Sequence, residues 1–169
     1  MTAHQPAQPA PHHQPHNQAH HQARRPGVLA WAAADPLRAI LAAIAIITVL
    51  TGAVQVPFGG TVLQLIGADP TPGMRQLFGT VGMFMVVVGG LLLHTLLNAM
   101  PSPEVVLWSG LQKAGAFGAV GIGVLNGVFS PVALLVAFFD LATAVLLFVY
   151  WRRISGGMAG GGMAGGNAL

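Results

Sequence analysis

Between Arg38 and Asp69 the chain carries no charged residue, and none lies between Arg75 and Glu104. Uninterrupted runs of this length fit a hydrocarbon layer of ~30 Å, which a helix crosses at ~1.5 Å per residue. The whole composition agrees: 54% of residues are hydrophobic and 7% charged, where a soluble domain carries roughly 25% charged residues. Mean hydropathy is +0.68. An ordinary water-soluble fold is therefore excluded, and the expected class is an all-α integral membrane protein.

The punctuation of the apolar sequence predicts four transmembrane helices in an antiparallel bundle. The first span is expected over Leu37 to Val56, where Pro57, Gly59 and Gly60 follow. The run Thr61 to Gly67 is too short to cross alone and is expected in the interface. A second span over Met74 to Asn98 is stopped by Pro101 and Pro103, since proline cannot continue a helix. The third is expected over Glu104 to Phe129, with Pro103 and Glu104 suited to its first turn. Ser130-Pro131 makes the next turn, and the fourth span covers Val132 to Trp151.

Two tails flank the bundle. Residues 1–33 are dominated by His, Gln, Pro and Ala, and lack the hydrophobic periodicity that would offset the entropy of ordering, so a disordered tail is expected. Arg24-Arg25 is followed by Pro26 rather than an apolar core, which argues against a twin-arginine export signal. Residues 154–169 contain GGMAG twice and predict a flexible linker-like end. Arg24, Arg25, Arg38, Arg152 and Arg153 fall on one side of the predicted spans and Arg75 on the other. The positive-inside rule then places both termini in the cytoplasm. Trp31, Trp108, Tyr150 and Trp151 fall at the same boundary, where amphipathic rings favour the headgroup level.

Inside lipid, helix association depends on close backbone approach and hydrogen bonds. Gly115, Gly118, Gly121, Gly123 and Gly127, preceded by Gly110, are candidate packing positions on the third span, either within the bundle or as a homo-oligomer seam. Gly79, Gly82, Gly89 and Gly90 serve similarly in the second. Polar stripes at Thr48, Thr51 and Gln55, and at Gly90, His94 and Asn98, are expected to face inward.

Lys113 and Asp140 interrupt the third and fourth apolar stretches, and each costs roughly 2.5–3.5 kcal/mol at a helix centre on insertion scales. Lys113 stands five positions beyond Trp108, about 7.5 Å inward; Asp140 stands ten before Tyr150, about 15 Å inward. His94 falls near the Lys113 level. These residues, with Thr143 as a hydrogen-bond partner for Asp140, predict a polar pocket open to the cytoplasm. Competing readings have Lys113 snorkelling to the headgroups, Asp140 held as a neutral acid beside Thr143, and His94 acting as a packing element.

Other chemistry is poorly represented. Zero Cys excludes disulfides and thiolate metal sites. The +3 formal charge comes from seven basic and four acidic residues, too thin a set for a nucleic-acid face. His94 alone cannot supply the paired ligands of a membrane haem, so no cofactor is implied. No phosphate-binding loop, nucleophile elbow, HExxH or dinucleotide fingerprint occurs, and no enzyme activity is expected. His12, His13, His16, His20 and His21, with Met158 and Met163, are soft or borderline metal donors, but the tail offers them no fixed geometry.

The segment Trp108-Ser-Gly-Leu-Gln-Lys113, followed by Asp140 and by Arg152-Arg153 after Tyr150-Trp151, resembles a pattern recurring in small bacterial four-helix membrane proteins, most of them uncharacterised. The layout is similar to the DoxX-like group. The resemblance covers Arg38 to Arg153 and implies an accessory inner-membrane role. Two functions are therefore expected to compete: a structural or accessory protein packing against another membrane component, and a proton-coupled or small-solute permease using Asp140, Lys113 and His94.

Overall fold

The computed structural model describes residues 34–161, with side chains described through residue 156. The expected tail 1–33, with its His cluster and Trp31, and residues 162–169, with Met163, lie outside the described residues, as does the side chain of Met158. The described residues form four helices: α1 Pro36–Leu65, α2 Pro72–Leu97, α3 Pro103–Leu125 and α4 Ala133–Gly161. All four are long and apolar enough to cross a membrane.

Each of the first three helices starts on the same device. Asp35, Thr71 and Ser102 are N-caps whose side-chain oxygens accept from the backbone N–H of Arg38, Met74 and Val105 at 3.3, 3.3 and 3.4 Å. Each cap is followed by proline at the first helical position. There the missing N–H costs nothing and the fixed φ suits the helix.

Two of the helices stop on a positive-φ glycine. Gly67 (φ 76°) and Gly127 (φ 70°) adopt the left-handed conformation that a Cβ disfavours. Around Gly67, the Ala68 N–H donates to Leu63 O at 2.9 Å and the Gly67 N–H to Gln64 O at 3.0 Å. Around Gly127, the Val128 N–H donates to Gly123 O at 2.8 Å and the Gly127 N–H to Val124 O at 3.0 Å. Both sets are Schellman motifs, which satisfy the last carbonyls of α1 and α3.

Three boundaries differ from the sequence expectation. The Thr61–Gly67 run is not a separate interfacial segment, because α1 continues through Pro57 with a kink at Phe58 (φ −111°, ψ 23°). Packing overrides the proline: Gly59 and Leu63 are buried beyond the kink, and a Cβ on Gly59 would stand 3.5 Å from Arg75 O of α2. The third helix ends at Leu125 rather than Phe129, so Gly127 is a turn residue and makes no helix-face pair with Gly123. The fourth runs past Trp151 to Gly161, taking in the start of the Gly-rich end.

The bundle is built from two hairpins, α1 packed on α2 and α3 on α4. Along α1 the buried positions Ala45, Thr48, Gly52, Gln55 and Gly59 recur every three or four residues. This is the seam of a left-handed helix pair. At its centre a Cβ on Gly52 would lie 2.5 Å from Gly82 O, and one on Gly82 would lie 2.9 Å from Gly52 O. Only glycine lets the two backbones come this close. Gln55 Nε2 donates to Phe78 O at 2.8 Å across the same seam.

The hairpins meet in an apolar cluster of Leu41, Ala42, Ala45, Leu92, Leu96, Val106, Leu147 and Tyr150, to which all four helices contribute. This cluster lies toward the end marked by Arg38, where Arg38 Nε donates to Leu96 O at 2.7 Å and Nη2 to Asn98 O. At the same end Arg153 Nη1 pairs with Asp35 Oδ1 at 3.0 Å. At the opposite end, marked by Arg75, the Ser130 N–H donates to Ile66 O at 2.9 Å and ties the two turns together.

Candidate functional site

The buried face of α3 is short. Val106, Ser109, Gly110 and Lys113 are covered, at helical spacing, and no residue of α3 beyond Lys113 is buried. On α4 the covered positions Ala133, Ala137, Asp140, Ala144 and Leu147 follow the same three-and-four rhythm. Gly110 sets the register, since a Cβ there would meet Leu147 Cβ and Phe148 Cδ1 at 3.4 Å and Phe148 Cε1 at 3.1 Å. In an antiparallel pair this puts Lys113 opposite Ala144, and Asp140 about 6 Å, one turn, deeper toward the Arg75 end.

Lys113 spans that offset. Its Nζ donates to Asp140 Oδ1 at 2.7 Å, with the two side chains 7% and 10% exposed. A helical side chain leans by default toward its own N-terminus, which for Lys113 is the Arg38 end and the snorkelling direction. The structure has the stem run the other way. Pairing with the carboxylate outweighs access to headgroups, as expected where water is scarce and an opposite charge is near. The Lys113 Nζ also lies 5.9 Å from the Phe139 ring centroid, within cation–π range. Phe117 of α3 and Phe138 of α4 also meet across the pair of helices, their rings tilted at 47° with centroids 5.8 Å apart.

The predicted four-residue pocket is not assembled. Lys113 and Asp140 come together, so the snorkelling arrangement is not adopted. His94 is exposed on α2, away from the pair. Thr143 is 1% exposed, but its hydroxyl donates to Phe139 O at 2.8 Å on its own helix, leaving Lys113 as the partner of Asp140. Among the described residues every buried side-chain N or O has a partner.

On the other side of Lys113, a cavity of about 10 Å³ separates α3 from the α1–α2 hairpin, lined by Thr48, Gly89, Ser109 and Gln112 among others. That volume is near the lower limit for one water.

The glycine and polar stripes divide in the same way. A Cβ on Gly115, Gly118, Gly121 or Gly90 would meet nothing within 4 Å. Gly123 is instead covered by the Phe129 ring, 2.5 Å from its would-be Cβ. Thr48 and Gln55 face inward as expected, whereas Thr51 is exposed. The inward face of α2 is Gly82, Gly89, Leu92, Thr95 and Leu96, not the Gly90, His94 and Asn98 stripe. Gly90, His94 and Asn98 share one stripe and Gly82, Gly89 and Leu96 another, and hydropathy alone does not rank two such faces.

Among the described residues no group of three or more His, Asp or Glu is placed to hold a metal ion. Sequence reasoning passed over Arg38, which caps the C-terminus of α2, and the Asp35–Arg153 pair. Its available signals were the Asp35-Pro36 cap and an arginine one turn into the helix. Compared with protein-family models, curated proteins and solved structures, the chain matches none.

Proposed function

We propose that this is a non-catalytic, multi-pass component of the bacterial inner membrane, which packs laterally against another membrane component: a partner protein or a second copy of itself. The observation carrying this reading is the C-terminal half of α3, which is at most half-buried. Beyond Lys113 the helix has no buried residue, and Gly115, Gly118 and Gly121 present a small-residue face with open space beyond it. Faces of this kind let a second helix approach closely in lipid, where apolar contact alone does not favour association. The closed Lys113–Asp140 pair supports a structural use of the membrane charges, since each charge is neutralised by the other within the bundle. Both termini belong in the cytoplasm on this reading, supported by Arg38, Arg152 and Arg153 gathered at one end of the bundle. The accessory role implied by the DoxX-like layout agrees.

A photo-crosslinking side chain placed at Gly118 in native membranes tests it. A discrete protein adduct, abolished by Gly121→Leu while the fold is retained, is the expected result. Adducts with lipid alone, at Gly118 and equally at Gly115, would refute the lateral-packing role.

A further inference from the structure

The kink in α1 opens a groove that nothing in the bundle fills. It has a volume of about 330 Å³ and is lined by Pro57, Phe58, Gly60, Thr61 and Gln64 of α1, Pro70 of the following turn and Arg75 of α2. Pro57 removes one helical N–H, and the turn of φ and ψ at Phe58 bends the following residues away from the straight helix. Pro57 lies nineteen residues from Arg38, about 29 Å along the helix and so close to the full ~30 Å hydrocarbon thickness. The groove therefore sits at the headgroup level opposite the Arg38 end. Phe58, 60% exposed, forms part of its wall.

Arg75 is the one charged side chain of the groove. Its stem is laid over Gly60, where a Cβ would come within 2.8 Å of Arg75 Cδ and 3.8 Å of Nε. The glycine thus leaves room for the stem and fixes where the guanidinium lies. Two ion pairs occur among the described residues, Lys113–Asp140 and Arg153–Asp35, and neither includes Arg75. Asp69 is exposed and does not line the groove. A cation at the headgroup level, with a hydroxyl at Thr61 and an amide at Gln64 beside it, matches a phosphodiester bearing a polar alcohol. Guanidinium binds such an oxyanion with two parallel N–H bonds.

We infer that this groove binds the headgroup of an anionic glycerophospholipid, with Arg75 on the phosphate, Thr61 and Gln64 on the headgroup hydroxyls, and Phe58 against the start of the acyl chains. The occupant is a lipid rather than a free phosphate ester, because the groove opens beside an exposed aromatic ring at the hydrocarbon boundary.

The test uses the full chain purified from nanodiscs of phosphatidylglycerol and phosphatidylcholine, with retained lipid counted by native mass spectrometry. The retained ratio of phosphatidylglycerol to phosphatidylcholine should exceed the bulk ratio about fivefold, the gain of one basic residue facing an anionic lipid. The enrichment should disappear in Arg75→Gln and persist in Arg152→Gln at the other end. Gly60→Val, which displaces the stem while keeping the charge, is a second variant and should also lose it. Equal retention by wild type, Arg75→Gln and Gly60→Val would overturn the site. Saturable binding of glycerol phosphate by the detergent-solubilised chain, without lipid enrichment, would overturn the assignment to a lipid.

Discussion

Removing one partner of the Lys113–Asp140 pair should be far more damaging than removing both. Lys113→Met leaves a carboxylate one turn below the level of Lys113, on a short side chain that cannot reach a headgroup. Asp140→Leu leaves an ammonium whose stem must reverse direction to escape, past Gly110 and the Phe148 ring. Stranding a buried charge costs about 3–5 kcal/mol, whereas replacing a buried pair by apolar residues of similar volume is neutral or stabilising by about 1–4 kcal/mol. Each single variant should therefore lose about 3–5 kcal/mol and the double variant Lys113→Met/Asp140→Leu should recover nearly all of it. The assay is equilibrium unfolding in mixed micelles of mild detergent and dodecyl sulfate, followed by far-ultraviolet circular dichroism. Single-variant losses below about 1 kcal/mol, as for a solvent-exposed pair, would show that the pair is hydrated and refute the argument. A double variant as unstable as the two losses added together would refute the coupling.

Other substitutions probe the rest of the framework. Gly52→Ala forces its Cβ to 2.5 Å from Gly82 O and should cost about 1–3 kcal/mol through overpacking, while Gly90→Ala, with nothing within 4 Å, should gain about 0.5–1 kcal/mol of helix propensity; the same unfolding assay gives both. Gly67→Ala and Gly127→Ala each place a Cβ at positive φ, at about 1–2 kcal/mol. Gly67→Ala should cost more, since its Cβ would also stand 2.7 Å from Ser130 Cβ, and Ser130→Gly should recover part of the excess in a thermal melt. Arg38→Gln releases Leu96 O and Asn98 O; at about 1.5–3 kcal/mol for a hydrogen bond from a charged group, hydrogen exchange should show the last turn of α2 opening ahead of the bundle.

The number of helices was legible because apolar length is a direct measure of what lipid will accept. Their ends were legible where a chemical stop coincided with the end of apolar sequence, as at Ser102-Pro103. They were illegible where packing decided. Pro57 marks a boundary by local rules, yet α1 continues because Gly59 and Leu63 find α2 beyond it. Lys113 and Asp140 stood out as intramembrane charges and were expected in one pocket, but counting inward from Trp108 and Tyr150 put them at different depths and did not point to a direct ion pair. The register carried by Gly110 and the reach of a lysine stem close that gap. The same count put His94 near the Lys113 level but could not choose its face. Its neighbours at i−4 and i+4, Gly90 and Asn98, form an equally regular stripe on the outward face, and the partner helix alone selects between faces.

The placement of the ion pair within one hairpin also explains why the two hairpins are built so differently. α1 and α2 fix their relative position by shape, since Gly52 against Gly82 allows one close approach and Gln55 adds a directional bond to Phe78 O. α3 and α4 have a close point at Gly110, and the covered face of α4 includes Ala133, Ala137 and Ala144, whose small uniform surfaces pack almost as well after a slip of one turn. Lipid supplies no penalty against that slip, because hydrocarbon is as good a neighbour as leucine. A charged pair does supply one. Moving α4 by a turn in one direction adds about 5.4 Å to the separation of Lys113 and Asp140, and in the other brings the carboxylate opposite the lysine Cα with the stem folded back. An otherwise costly pair of charges thus joins the close contact at Gly110 in holding one register for the second hairpin.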